Sequence, residues 1–292
     1  MKYRHSYHAG NFADVHKHVT LLALLRALQR KDKGLLYLDT HAGIGSYDLA
    51  GPETHHGAEA RNGFIALAAH PEAARTESLG AEVADYLQQV KTAAAAAGNA
   101  HLYPGSPLLA AQVLRPQDRG ICFELLAPES RALERALHGH PRLRVECADG
   151  LSQFTAWLPP PERRALVLID PPYEDTRAEL ASALAAARRM LERLANAVIA
   201  IWYPIKDERL LAPWLKQAAA QLAAPTLRSE LWIYPRDSRV SLNGSGLLIV
   251  NPPWRIDERM REWLAPLAQV LDVQHHGGSS QEWLIAGDAQ PS

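Results

Sequence analysis

Asp170 and Tyr173 flank two prolines directly after a short apolar run, and these four residues could bind an amine on a planar ring. A carboxylate and a prolyl carbonyl can each accept an N–H bond, while an aromatic side chain can stack on the ring. Accepting both N–H bonds would pull the nitrogen toward tetrahedral geometry and return its lone pair for attack. This combination of residues is suited to group transfer onto an exocyclic amine by positioning.

The preceding run, residues 165–169, predicts a strand that is buried on both faces. Pro171 and Pro172 lack backbone N–H groups, so they end the strand and restrict the backbone around Asp170 and Tyr173. Ligands of open α/β sheets bind at the carboxyl ends of the strands. A proline-rich turn without function is the alternative for these four letters taken alone.

Asp170-Pro-Pro-Tyr173 resembles the catalytic motif of amino-methyltransferases that use S-adenosylmethionine. The resemblance implies that Asp170, Pro171 and Tyr173 are catalytic, with the Tyr173 ring stacked on the base. A second motif, Asn251-Pro-Pro-Trp254, resembles the motif of glutamine and some RNA methyltransferases. It follows the last predicted strand, and no cofactor loop comes after it, so we interpret it as structural.

The rest of the chain predicts strands and helices that alternate around this strand. Asn11 is placed to cap an amphipathic helix over residues 11–31. Predicted strands cover residues 35–38, 121–124, 143–146, 197–202, 226–234 and 247–250, the last two forming an antiparallel hairpin. We therefore predict an α/β fold with a Rossmann-like class I methyltransferase sheet and an inserted helical subdomain at residues 52–100. The methyltransferase domain would comprise residues 1–51 and 101–292.

Three loops after predicted strands are candidates for cofactor binding. Asp39-Thr-His-Ala-Gly-Ile-Gly45 is a tight loop that resembles the class I cofactor loop, although His41 stands where its first glycine would be. Glu124 ends the next strand, where Rossmann-like folds place an acid that bonds ribose hydroxyls. Asp149-Gly150 follows the third strand and suits a loop facing adenine. Each has a plainer interpretation as a turn or a strand-end carboxylate.

Composition narrows the class of protein. The 292 residues carry a net charge of −1, so a basic surface for nucleic acid would have to be local. No apolar run predicts a membrane span, and no secretory signal is evident, so we expect a cytoplasmic protein. Cys122 and Cys147 lie in predicted strands without metal-ligand spacing, which indicates buried thiols and no metal site.

The first residues are the best candidate for a basic surface. Residues 1–13 include Lys2, Arg4 and His5 with interleaved aromatics and no acid, which suits single-stranded RNA. His16-Lys17-His18 follows in the first turns of the predicted helix. No metal-ligand set accompanies that cluster, and a solvated helix face is its plainer interpretation.

The order of these motifs resembles the bacterial 23S ribosomal RNA adenine-N6 methyltransferase family over nearly the whole chain. The resemblance rests on Tyr3–Asn11, Leu38–Gly45, Tyr103–Pro107, Ala148–Gly150, Leu168–Tyr173 and Trp202–Pro204. It implies S-adenosylmethionine contacts from His18, His41, Ser106, Glu124, Asp149, Gly150 and Asp170. It also implies contacts to substrate RNA from Tyr3, Arg4 and Lys17, in a monomeric enzyme. The alternatives are methylation of DNA, of guanine N2, or RNA binding without catalysis.

Overall fold

The structure is a computed structural model and describes residues 8–50, 58–71, 76–236, 238, 242–272 and 275–287, without the side chains of residues 58, 59, 76 and 77. Its strands are β1 (Leu36–Asp39), β2 (Ser46–Asp48), β3 (Leu102–Pro104), β4 (Arg119–Phe123), β5 (Leu143–Glu146), β6 (Ala165–Ile169), β7 (Val198–Ile205), β8 (Thr226–Trp232), β9 (Gly244–Val250) and β10 (Gly278–Ile285). Its helices are α1 (Phe12–Leu28), α2 (Ala58–Arg61), α3 (Phe64–Ala69), α4 (Thr76–Leu79), α5 (Ala81–Ala97), α6 (Ser106–Val113), α7 (Ala127–Ala136), α8 (Gly150–Gln153), α9 (Thr176–Arg193), α10 (Glu208–Gln221) and α11 (Ile256–Leu271).

The main sheet has the strand order β5-β4-β1-β6-β7-β9-β8-β10, and β2 pairs separately with β3. Neighbouring strands from β5 to β7 run parallel, whereas β9, β8 and β10 join antiparallel. The chain leaves β1 toward β4 on one side and returns to β6 on the other, which makes the end of β1 a topological switch point. This arrangement confirms the predicted Rossmann-like sheet with its closing antiparallel hairpin.

Helix α1 is buried on nearly every side from Phe12 to Leu25. Its start is fixed as predicted: the Asn11 side chain accepts a bond from the Asp14 N–H, and the Asp14 carboxylate accepts one from the Gly10 N–H. The helix contacts α5, α6, β9 and α11, so it lies within the domain. The prediction of an amphipathic helix is wrong, and the plainer interpretation of His16-Lys17-His18 as a solvated face does not hold, because neighbouring elements cover α1 on both sides.

Residues between β2 and β3 form the predicted helical segments as α2 to α5. Val83, Tyr86 and Val90 of α5 belong to the same apolar cluster as Val15 and Val19 of α1. The inserted helices therefore pack directly onto the helix that precedes the sheet. Among the described helices, none is both long enough and apolar enough to span a bilayer.

Helix α6 begins at Ser106, with Gly105 as its N-cap. One local prediction, that both cysteines are buried, needs correction. Cys122 is buried in β4, but Cys147 is exposed because β5 ends one residue earlier, at Glu146. Helix α11 and the strands β2, β3 and β10 were not predicted from the sequence. Strand β10 is an edge strand of mixed composition, and β8 is its pairing partner among the described strands.

Candidate active site

A cavity of about 430 Å³ opens at the carboxyl ends of β1, β4 and β6. Its volume lies in the range of small-molecule sites, about 300–1,000 Å³. The lining includes every residue predicted to bind the cofactor: His18, His41, Ser106, Glu124, Asp149, Gly150 and Asp170. Lys17 and Pro171 also line the cavity. Lys17 and Asp170, which lie 153 positions apart in sequence, thus line one cavity, because α1 meets the carboxyl end of β6 there.

Glu124 is almost fully buried at the end of β4, and two backbone N–H groups hold its carboxylate. One oxygen accepts a bond from Gly43 N at 3.1 Å and the other from Leu126 N at 2.8 Å. Burial raises the pKa of Glu124, and these two bonds oppose that shift. The carboxylate is therefore fixed against the glycine loop, with lone pairs left to accept hydroxyl groups.

Asp149 and Gly150 bring the third loop close to the first. The Asp149 side chain caps α8 by accepting a bond from Leu151 N at 2.9 Å. A Cβ atom at position 150 would collide with the backbone of Thr40, so only glycine permits this approach. The close packing of these loops forms the floor of the cavity.

Asp39 is a buried carboxylate at the end of β1. The sequence motif identified it as the first residue of the glycine loop but predicted no specific function for its side chain. It accepts bonds from Tyr37 Oη and from Ser106 Oγ, each at 2.7 Å, and from His41 N at 3.2 Å. Burial raises its pKa against the effect of these donors. The Ser106 hydroxyl therefore donates its hydrogen to Asp39, and this hydrogen bond connects α6 to the end of β1.

The two predicted cofactor-binding histidines have different surroundings. His18 lies on α1, with its Nδ1 3.0 Å from the Tyr103 hydroxyl, which in turn bonds the Tyr86 hydroxyl. The Nδ1 of His41 lies 2.8 Å from Thr40 Oγ1. Burial lowers the pKa of His41 to about 4, although the charges of Asp170 and Asp149 act to raise it. His41 is therefore neutral at physiological pH.

Asp170 forms an ion pair with Lys17, which lies one turn into α1. Lys17 Nζ lies 2.5 Å from Asp170 Oδ2 and 2.8 Å from Asp14 Oδ1, and only 4% of the Lys17 side chain is exposed. Burial alone would lower the Lys17 pKa, but the two carboxylates outweigh it and raise the pKa. The ammonium is charged and shared between Asp14 and Asp170, so it holds Asp170 at the cavity wall.

Tyr173 has a different position from the one predicted. Its side chain is buried at 4% exposure with a positive φ of 54°, and it does not line the cavity. The hydroxyl donates to Trp202 O at 2.5 Å, and the two rings meet edge to face at 5.4 Å. In this structure Trp202 and the core cover the ring, so it does not face the cavity where the sequence predicted it to stack on a base. Tyr173 instead anchors the Asp-Pro-Pro loop to β7.

Leu125 and Leu126 were missed as lining residues. They follow Glu124 directly and are among the most exposed large apolar side chains of the described chain. Apolar side chains beside a strand-end acid suit a planar ring bound next to a ribose. Their exposure could not be read from the sequence, where two leucines after a strand suggest core. Tyr3 and Arg4 lie outside the described residues.

The second motif has a packing role in the structure. Asn251 Nδ2 donates to the carbonyl oxygens of Ala195 and Ala197 at 2.8 and 2.9 Å. These bonds join the end of β9 to the turn before β7. The motif lies away from the residues that line the cavity, which supports its structural interpretation.

The model of the family described as "Ribosomal RNA large subunit methyltransferase D, RlmJ" matches residues 32–285 of this chain. The match contains all three loops of the cavity and the Asp-Pro-Pro-Tyr motif. The chain belongs to this family. Membership agrees with the resemblance that the order of the sequence motifs indicated.

Two relatives and one solved structure match nearly the whole chain. "Ribosomal RNA large subunit methyltransferase J" of Haemophilus influenzae is 34% identical over 284 residues, which cover 97% of this chain and 99% of that protein. The protein of the same name from Escherichia coli K12 is 34% identical over 98% of this chain and 99% of its own length. The crystal structure of protein LPL1258 from Legionella pneumophila superposes with a TM-score of 0.82 at 32% identity, covering 94% of this chain and 98% of that one.

Proposed function

We propose that this chain transfers the methyl group of S-adenosylmethionine to the exocyclic N6 amine of one adenosine in 23S ribosomal RNA. The observation that carries the proposal is the position of Asp170: its carboxylate lies at the end of β6, in the same cavity as Glu124 and Asp149. The names of the two relatives, which specify large-subunit ribosomal RNA, support the substrate class.

The residues of the cavity fit S-adenosylmethionine. Glu124 is held by two backbone N–H groups and retains lone pairs for ribose hydroxyls. Leu125 and Leu126 offer an apolar surface for adenine, and the absence of a side chain at Gly150 keeps the loops close together. When bound, the cofactor supplies an electrophilic methyl group.

Asp170 and Pro171 would act on the target amine. The exocyclic nitrogen of adenine is a poor nucleophile because its lone pair is drawn into the ring. If the Asp170 carboxylate and the Pro171 carbonyl accept its two N–H bonds, the nitrogen becomes tetrahedral and its lone pair points at the methyl group. Lys17 is a positioning residue in this scheme: its ammonium orients the carboxylate without touching the base.

The RNA must present the base out of its stack. Reaching a pocket of this kind requires splaying or flipping the nucleotide, which costs a few kcal/mol. Trp202 covers the Tyr173 ring, so we propose that a different aromatic side chain stacks on the base. Our candidate is Tyr3, for which the family resemblance implies a contact to substrate RNA, with Arg4 beside it for phosphate.

Methyl transfer from labelled S-adenosylmethionine tests the proposal. We expect label in purified 23S ribosomal RNA, and mass spectrometry of the digested RNA should identify N6-methyladenosine. Label in genomic DNA alone, or in N2-methylguanosine, would replace the proposal with the corresponding alternative. RNA binding without transfer to any nucleic acid would indicate a binding protein on this fold. We further propose that the enzyme acts in the cytoplasm and as a monomer.

A further inference from the structure

His16 precedes Lys17 on α1, but its side chain points away from the cavity, toward β8 and β9. Its Nδ1 lies 2.9 Å from Ser245 Oγ and its Nε2 lies 3.1 Å from Ser229 Oγ. All three side chains are fully buried. Both ring nitrogens therefore have hydrogen-bond partners in a part of the core where an unpaired polar group would be costly.

Ser245 connects this histidine to the strand next to β6. The Trp202 indole can only donate, and its Nε1–H donates to Ser245 Oγ at 2.9 Å. Ser245 thus bonds the imidazole and the indole at once. With Ser229 on the other side of His16, the imidazole fixes the Ser245 hydroxyl, and Ser245 fixes the rotation of the Trp202 ring.

Trp202 in turn contacts both residues that hold the Asp-Pro-Pro loop. Its carbonyl accepts the Tyr173 hydroxyl at 2.5 Å, and its ring packs edge to face on the Tyr173 ring. The Lys17 ammonium lies 5.6 Å from the centroid of the Trp202 ring, within cation–π distance. A rotation of the indole would change its contact with the Tyr173 ring, which anchors the Asp-Pro-Pro loop, and its contact with the ammonium of the Lys17–Asp170 ion pair.

We infer that His16 is a positioning residue for methyl transfer, which acts through Ser245 and Trp202 on Tyr173 and Lys17. The inference rests on the proposed function for its kinetic consequence. Its structural content, that His16 fixes the Trp202 indole, is independent of the reaction. A displacement of a reacting group by about 1 Å can cost about 100-fold in rate, so a loose indole should appear mainly in kcat.

His16→Leu keeps the volume of the side chain and removes both hydrogen bonds. We expect kcat for methylation of 23S ribosomal RNA to fall about 10- to 100-fold, with the KM values for RNA and S-adenosylmethionine within about threefold of wild type. Ser245→Ala should act in the same direction. His16 and Ser245 belong to one series of contacts, so kcat of the double variant should fall about as much as kcat of either single variant. His16→Gln, which keeps a donor and an acceptor, should recover part of kcat.

The indole signal provides a readout that does not depend on activity. NMR can follow the indole N–H of each of the 7 tryptophans, and the signal that disappears in Trp202→Phe is that of Trp202. Hydrogen exchange of this N–H should be faster in His16→Leu than in the wild-type protein. Val19→Ala is the matched control: it lies on the same helix, is equally buried, and forms no side-chain hydrogen bond. It should lower the melting temperature while leaving kcat and the indole exchange unchanged.

Several results would overturn the inference. One is a kcat within twofold of wild type in His16→Leu, and another is an equal loss of kcat in Val19→Ala. If His16→Leu fails to fold, Ser245→Ala decides the same question, since it removes one hydroxyl from the same chain. If the wild-type protein methylates no nucleic acid, the proposed function fails, and the indole exchange alone then decides whether His16 fixes Trp202.

Discussion

Lys17 Nζ lies between two carboxylates, 2.5 Å from Asp170 Oδ2 and 2.8 Å from Asp14 Oδ1. Asp14 is itself fixed at the start of α1 by its bond from the Gly10 N–H. The geometry of the Asp-Pro-Pro motif therefore depends on a helix that is remote in sequence. A buried ammonium that pairs with two carboxylates is costly to remove, because both carboxylates then lose their shared cation.

We expect Asp170→Ala to abolish methyl transfer and to leave the affinity for S-adenosylmethionine largely intact. The carboxylate would contact the amine, whose geometry matters only on the reaction path, so the loss should fall on kcat. Asp170→Asn, which keeps the size of the side chain and one carbonyl oxygen, should retain more activity than alanine. Labelled methyl transfer measures the first effect and calorimetry the second. Cofactor binding that disappears together with activity would contradict a purely catalytic role.

Lys17→Met should lower the free energy of unfolding by about 3 kcal/mol at neutral pH, because the buried Asp14 and the 13%-exposed Asp170 lose their shared cation. Urea unfolding measures this change. Adding Asp14→Asn to Lys17→Met should restore part of the stability, since the position beside residue 17 then carries no negative charge and only Asp170 has lost its cation. Lys216→Met, at an exposed position of α10, is the control and should change stability by less than about 0.5 kcal/mol. Equal stabilities of the two methionine variants would exclude this account.

Glu124→Ala should weaken binding of S-adenosylmethionine about 10- to 150-fold. A charge-assisted hydrogen bond to a ribose hydroxyl is worth about 1.5–3 kcal/mol, which corresponds to that range. Calorimetry with the cofactor alone measures the affinity without RNA. Glu134→Ala, on the exposed face of α7, should bind normally. If Glu124→Ala also bound normally, the end of β4 would not be the ribose site.

The pH dependence of stability should carry a contribution from His16. Burial lowers the His16 pKa from 6.5 to about 3, despite the nearby Glu230 charge. Below pH 6.5 the unfolded chain takes up a proton that the folded chain does not, so stability falls as pH falls toward 3. Between pH 7 and pH 5 this residue should account for a loss of about 2 kcal/mol.

The comparison of wild type with His16→Gln isolates this contribution. Both proteins keep His41, whose lowered pKa has the same sign, so its contribution cancels. The variant should be less stable at neutral pH but lose less stability on acidification, as measured by urea unfolding at pH 7 and pH 5. Parallel losses in the two proteins would show that His16 does not titrate differently in the folded state.

Much of the fold followed from local patterns in the sequence. Apolar runs between helical segments located β1 and the strands from β4 to β9, which include the three whose ends form the cavity edge, but not the short strands β2 and β3. The Asn11 cap located the start of α1, because capping depends on residues within one turn. Helix α11 and strand β10 were missed, since β10 gains its strand conformation by pairing with β8 and not from its own composition.

The site was predictable to the extent that its residues stand at strand ends. Glu124, Asp149 and Asp170 each follow a strand, and parallel strands bring their ends together. The surroundings of these side chains were not predictable. The Lys17–Asp170 ion pair and the contact of Trp202 with Tyr173 depend on how α1 and β7 pack against the rest of the fold. These contacts cannot be predicted from the spacing of residues along the chain.

Helix α1 also sets the order in which the protein can be assembled during synthesis. It is synthesised before every other described element, yet it packs against β9 and α11, which are synthesised after the parallel strands of the sheet. Until β9 has emerged from the ribosome, α1 and its buried ammonium have no complete environment, so the elements cannot fold one by one in the order of their synthesis. The contact of α1 with β9 and α11 thus delays a competent active site until both of these elements have been synthesised.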